Sequence, residues 1–171
     1  MKRSLREQIS KQSEFASLEE EAMLNIARTA SELSGHERSF FKGFGLSPAA
    51  YNLLRILRGH HGREGYREGV RASEIGSQMV VRMPDVTRLV DRLESRGLVK
   101  RSVSAEDKRV KYVQITRDGL GLLGEIDPQI SEVGRSVLGH MTSKDLKTLS
   151  RLLERARERS EEGRENEELN G

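Results

Sequence analysis

The stretch "VTRLVDRLESRGLVKRSV", residues 86–103, constrains the fold more than any other part of the chain. At about 100° per residue, Leu89, Val90 and Leu93 each fall within roughly 60° of Val86, so they form the inner face of a short helix. Pro84, Arg88, Asp91 and Ser95 point the opposite way, with Thr87 and Arg92 on the flanks. Gly97 followed by Leu98 is a helix stop in which glycine turns left-handed and the next apolar residue folds back. The spacing predicts a helix over 84–96. "LVKRSV" and "RVKYVQI" then read as paired strands around the charged tip Ala-Glu-Asp-Lys-Arg, a β-hairpin.

The rest of the chain reads as helices. Leu18, Ala22, Ile26, Ala30 and Leu33 recur at helical spacing over 17–33. Phe40, Phe41 and Phe44 follow as an aromatic cluster. Ser47 and Pro48 have the N-cap and first-turn chemistry of a second helix, with Tyr51, Leu54 and Leu57 as its buried stripe and Gly59 after its last turn. Residues 59–69 are a polar, glycine-punctuated loop. "VRASEIGSQM" is a short extended piece and a helix capped by Ser73. Thr116 caps a helix to about His140, interrupted or bent near Pro128. Thr142, with Asp145 three positions on, opens a last helix carrying Leu146, Leu149, Leu153 and Ala156. The fold class is therefore mainly α with a small β-hairpin.

The 171 residues contain no cysteine and no tryptophan, and only 4% are aromatic. Disulfides, thiolate metal sites and thiol nucleophiles are excluded. The core must be Leu, Val, Ile and Ala, and long helices with so thin a core often finish burying themselves on a second copy. No apolar run approaches the roughly 20 residues that cross a bilayer, so a cytoplasmic protein without a membrane partner is expected. Residues 82–112 hold nine Lys/Arg against five acids; residues 160–171 hold one Arg against five Glu. The first segment suits anions, and residues 159–171 read as a disordered acidic tail.

No acid pair, Ser-His-Asp set or nucleotide fingerprint points to an enzyme, and no cofactor is expected. His60 and His61 lack the companions of a metal site, and "GHHGREG" lacks the Lys-Ser/Thr ending of a phosphate loop. No metal site is expected.

A helix, a tight connection, a second helix and a hairpin are the layout of a winged helix-turn-helix, whose second helix enters the major groove. Arg88 is placed to read a base, with Thr87 and Arg92 beside it, because a guanidinium can bond guanine O6 and N7 together. Asp85 and Asp91 would repel phosphate unless they pair with Arg88 or Arg92, or accept from a cytosine amino group. A wing with Lys100, Arg101 and Lys108 on phosphates, Arg109 in the minor groove and Lys111 nearby would complete the contact. Asp107 reads as a positioning partner for an arginine, either Arg109 or Arg88.

"DVTRLVDRLESRGLVKR" (85–101) and "EDKRVKYVQITRDG" (106–119) resemble the MarR/SlyA family of bacterial winged-helix regulators. The likeness rests on Thr87 to Leu93, Gly97 to Arg101, Asp107 with Arg109, and Ile115-Thr116 with Gly119. Val80 stands where that family commonly has glycine, and Met83-Pro84 where a polar residue is common. The resemblance implies a homodimeric repressor on pseudo-palindromic double-stranded DNA. Residues 1–45 and 117–158 would be its dimerisation helices and 46–116 its DNA-binding domain. It also implies a small-molecule effector in a cleft between these lobes. His36, Phe40, Phe44 and Tyr51 would line that cleft, or equally form a plain junction core. The rival reading is a winged-helix module for protein assembly without sequence-specific DNA binding.

Overall fold

The computed structural model describes residues 3–83, 85–104 and 107–169, with side chains through residue 158. Among the described residues, seven helices and three strands follow in the order α1 (Leu5–Gln8), α2 (Leu18–Lys42), α3 (Pro48–His60), β1 (Val70–Arg71), α4 (Ala72–Gln78), α5 (Val86–Ser95), β2 (Val99–Val103), β3 (Lys111–Ile115), α6 (Arg117–Leu138) and α7 (Ser143–Leu169). The chain divides into two compact units, Met1–Val133 and Gly134–Gly171. No helix among the described residues is long and apolar enough to cross a membrane.

Local chemistry sets most of the boundaries. Ser17 accepts from the Glu20 N–H at 3.2 Å and opens α2, which runs on through Phe41 and so exceeds the span expected from its apolar spacing. Ser47 accepts from the Ala50 N–H at 3.1 Å, and Pro48 stands in the first turn of α3. Gly97 takes φ +71°, and the Leu98 N–H returns to the Leu93 carbonyl at 3.0 Å. That is the left-handed glycine stop expected after α5. Thr142 and Asp145 close α7's first turn, hydroxyl to carboxylate at 2.7 Å and Asp145 N–H to hydroxyl at 3.2 Å.

Several expectations need correction. The short N-terminal helix α1 was not anticipated, although Ser4 and Glu7 form a complete capping box. Helix α4 starts at Ala72, before Ser73, and its N-cap Arg71 makes no side-chain cap bond. The sheet supplies the reason: Arg71 is already paired with Tyr112, so the chain enters α4 directly from a strand. Helix α6 continues through Pro128. Pro128 has no N–H to give the Gly124 carbonyl, so α6 is one backbone hydrogen bond short at this turn. Helix α7 runs to Leu169, so its backbone continues through the expected tail. Residues 159–169 contain no proline and five glutamates, a residue type with good helix propensity.

The three strands are antiparallel in the order β1-β3-β2. Val99 pairs with Ile115 and Val103 with Lys111 across the hairpin, while Val70 pairs with Val113. Their inward residues Val70, Val99, Val113 and Ile115 meet Leu53, Leu54 and Leu57 of α3, Ile75 of α4 and Leu89, Val90 and Leu93 of α5. Leu123 and Ile126 of α6 close the same core. Each such side chain contributes roughly 1.5–3 kcal/mol on burial.

Helix α6 is fastened where the hairpin ends. The Thr116 hydroxyl donates to the Gly97 carbonyl at 2.7 Å and accepts from the Gly119 N–H at 3.1 Å. One side chain thus caps α6 and ties it to the stop of α5. Farther along, Arg58 of α3 grips Asp127 of α6 with both guanidinium nitrogens, at 2.5 and 3.2 Å. Asp127 holds that guanidinium above its ordinary pKa.

Candidate nucleic-acid interface

Helix α4, the connection 79–85 and helix α5 form a helix-turn-helix, with the β2–β3 hairpin beside α5. The connection is pinned where Asn52 of α3 accepts from the Val80 N–H at 2.8 Å. Pro84 lies outside the described residues, so the first of the expected recognition-helix positions has no structural account. Asp85 is the N-cap of α5 and accepts from the Arg88 N–H at 2.9 Å. Its carboxylate also meets the Arg88 guanidinium at 2.9 Å. A residue that looked misplaced before phosphates thus starts the helix and holds the base-reading candidate.

Arg88 is 81% exposed, and Thr87 and Arg92 are exposed with it. Asp91 is also satisfied from within, but by Arg101 at 2.5 Å instead of by Arg88 or Arg92. Arg101 further donates to Glu94 at 2.9 Å and to the Thr87 carbonyl at 3.2 Å. The guanidinium expected on a phosphate is therefore folded back and braces strand β2 against α5. Lys100, Lys108, Arg109 and Lys111 are exposed.

At the wing tip, Asp107 accepts from the Arg109 backbone N–H at 2.9 Å. The Val110 N–H bonds the Asp107 carbonyl at 2.9 Å, and the Ser104 N–H bonds the Val110 carbonyl at 3.0 Å. Asp107 thus organises the turn through backbone, with the Arg109 side chain left exposed. Glu106 lies outside the described residues.

Two positioning residues escaped the sequence reading. Glu94 anchors Arg101, and Arg96 reaches the Gly45 and Phe44 carbonyls at 2.5 and 3.2 Å, tying the end of α5 to the α2–α3 turn. Only the seven-residue step from Glu94 to Arg101 across a glycine stop hints at the first. Nothing local signals the second.

Of the expected cleft residues, Phe40, Phe44 and Tyr51 come together with Phe41 as a packed cluster, and His36 does not join it. Phe41 stacks on Tyr51 at 4.4 Å between ring centroids, and Phe40 touches Phe41 and Phe44 at 5.1 and 5.4 Å. Tyr51 and Phe41 are buried, Phe40 and Phe44 half-buried and His36 exposed. Burial pushes the Tyr51 hydroxyl pKa up. His60 bonds Gln78 at 3.0 Å, and no cluster of three or more His, Cys, Asp or Glu among the described residues could hold a metal.

This geometry defines a winged helix-turn-helix protein. The MarR family model matches residues 46–111, the α3-to-wing segment. A MarR transcription factor from Planctomyces limnophilus is 38% identical, with a TM-score of 0.63 over 82% of this chain and 98% of that one. The HTH-type transcriptional regulator MhqR of Bacillus subtilis is 25% identical over 131 residues, 76% of this chain and 85% of MhqR. Sco3205, a MarR family regulator from Streptomyces coelicolor solved in complex with DNA, shares the fold at 22% identity, with a TM-score of 0.72 over 86% of this chain and 91% of that one. The chain belongs to the MarR family and is a transcriptional regulator of that family.

Proposed function

We propose that this regulator is a homodimeric, ligand-responsive repressor that binds a pseudo-palindromic operator. The observation that carries the DNA-reading part is the outward face of α5: Arg88 and Arg92 stand exposed at i and i+4, while both aspartates of the helix are neutralised from within. Arg88 reads bases, Thr87 and Arg92 assist, and Lys100, Lys108 and Lys111 neutralise phosphates. Arg109 enters the adjacent minor groove, where a narrow A·T-rich stretch concentrates negative potential. Arg101 acts through position rather than contact. Sco3205, which shares the fold, was solved in complex with DNA, and this supports DNA as the partner.

Residues 1–45 and 117–158 supply the dimerisation helices. Leu18 and Met23 of α2 are 82% and 70% exposed, and Ile26 is exposed on the same helix. Such apolar side chains are costly in water and suited to a second copy. Two recognition helices about 34 Å apart would then match half-sites one helical turn apart. A dimer covering a promoter excludes polymerase, which makes repression the direct consequence of tight binding.

Footprinting on the DNA upstream of its own gene, at two salt concentrations and with light scattering alongside, tests this reading. A protected palindrome and a dimer are expected. Failure to shift any promoter fragment would favour a protein-assembly module, and salt-dependent binding without a protected site would favour an architectural DNA binder.

A further inference from the structure

The connection between α4 and α5 leaves the core for three residues. Met79 is buried and Met83 packs against the core, but Val80 and Val81 between them are 86% and 69% exposed, and Arg82 is exposed beside them. The Asn52 side chain holds the Val80 N–H at 2.8 Å, so the chain is fixed where it leaves the core. The backbone does not require valine here. Helix α4 ends at Met79 with φ −66° and ψ 132°, and neither valine has a positive φ. Turns are ordinarily built from Gly, Asn, Asp, Ser or Pro. Two adjacent β-branched apolar side chains held out in water therefore point to a surface that covers them.

That surface must also suit a cation. Arg82 follows the valines directly, and residues 75–84 contain no acid. The carboxylates at either end are engaged: Glu74 accepts from the Tyr66 hydroxyl at 2.6 Å, and Asp85 holds Arg88. DNA offers both surfaces side by side, because thymine projects an apolar C5 methyl into the major groove between rows of anionic phosphates. Reach agrees with this. Val81 lies only four residues before Asp85, the N-cap of α5, so their Cα atoms are at most about 14 Å apart, close to the roughly 12 Å width of the major groove.

We propose that Val80 and Val81 read thymine by packing on its C5 methyl at the edge of the half-site, while Arg82 neutralises a neighbouring phosphate. This role rests on the DNA-binding reading and extends it. Arg88 distinguishes bases through hydrogen bonds, and the valines distinguish them through a methyl group that makes none.

The test uses the full chain and an operator selected from a random-sequence duplex pool, in which each thymine in turn is replaced by deoxyuridine. That change removes the C5 methyl and leaves every hydrogen-bonding group in place. With the parent protein, one or two positions per half-site should lose about three- to fourfold in affinity, the weight of one methyl removed from water. Val80→Ala and Val81→Ala leave the core intact, since both side chains lie in solvent. At least one of them should bind thymine and deoxyuridine equally at such a position. The role is overturned if no thymine responds, or if both valine variants keep the parent's full response. A loss shared equally by thymine and deoxyuridine operators would mark a disturbed turn and overturn it too. Unchanged DNA binding, with the variants shifted to monomer in light scattering, would give the valines to a second copy instead. Failure to select any operator would sink the DNA-binding reading and this role with it, whereas an operator indifferent to these methyl groups sinks this role alone.

Discussion

Arg101 holds Glu94 twice: its guanidinium donates to one carboxylate oxygen at 2.9 Å and its backbone N–H to the other at 3.0 Å. Strand β2 and helix α5 are thereby locked in one relative orientation, with Asp91 and the Thr87 carbonyl on the same guanidinium. Arg101→Gln should lower DNA affinity by disturbing this brace while leaving the salt slope unchanged. A lost phosphate contact would instead reduce the slope by about one unit, as expected for Lys108→Ala. Glu94→Ala should cost about 1–2 kcal/mol in urea unfolding, a modest figure because both partners keep some solvent access. A slope change in Arg101→Gln equal to that of Lys108→Ala would return Arg101 to the phosphates.

Asp85 performs two jobs that substitution can separate. Asp85→Asn keeps a side-chain oxygen for the Arg88 N–H but removes the charge that engages the Arg88 guanidinium. Stability should change little, and binding should strengthen as phosphate repulsion falls. Asp85→Ala should additionally lose about 1 kcal/mol of cap energy. Arg88→Ala should relax preference at one base pair, with roughly 1–3 kcal/mol of discrimination lost in competition against base-substituted sites. Equal loss of specific and non-specific binding in Arg88→Ala would remove it from base reading.

The helical and hairpin framework around these residues was legible because apolar spacing and punctuation agree locally, as at Val86 to Leu93 with Gly97. Strand β1 was visible only as a short extended piece, since two residues have no period and gain their identity from pairing with Val113 and Tyr112. The same limit applies at the interface. Sequence placed Arg88, Arg92 and Lys108 correctly on exposed positions, but it could not show Arg101 turning back to Asp91 and Glu94. That choice depends on how closely β2 approaches α5, a tertiary distance. The aromatic residues were similarly identified as a group, while only packing revealed that Phe41 fills the space against Tyr51.

Two glycines on α6 give opposite expectations for one substitution. At Gly119 an added Cβ would fall on the Leu98 carbonyl and stand 2.8 Å from Ile115 Cγ1, so Gly119→Ala should cost about 1–3 kcal/mol or more. At Gly121 nothing lies within 4 Å of the new methyl, so Gly121→Ala should stabilise by about 0.5–1 kcal/mol through helix propensity alone. Parallel denaturant titrations compare the two. Similar effects in both would mean that α6 does not pack closely on the start of β2.

The wing tip offers the sharpest separation of charge from geometry. Asp107 accepts from the Arg109 backbone N–H, a role that an asparagine side-chain oxygen can also fill. Asp107→Asn should therefore keep the turn, remove one negative charge beside DNA and bind operator at least as tightly as the parent. Asp107→Ala also removes that charge but leaves the Arg109 N–H without its side-chain acceptor, so Arg109 is misaimed and affinity for sites with A·T-rich flanks should fall selectively. Electrostatics alone predicts that both variants bind more tightly. Measuring the two on matched operators with A·T-rich and G·C-rich flanks decides between them: selective loss in Asp107→Ala supports the positioning role, and equal tightening in both would overturn it.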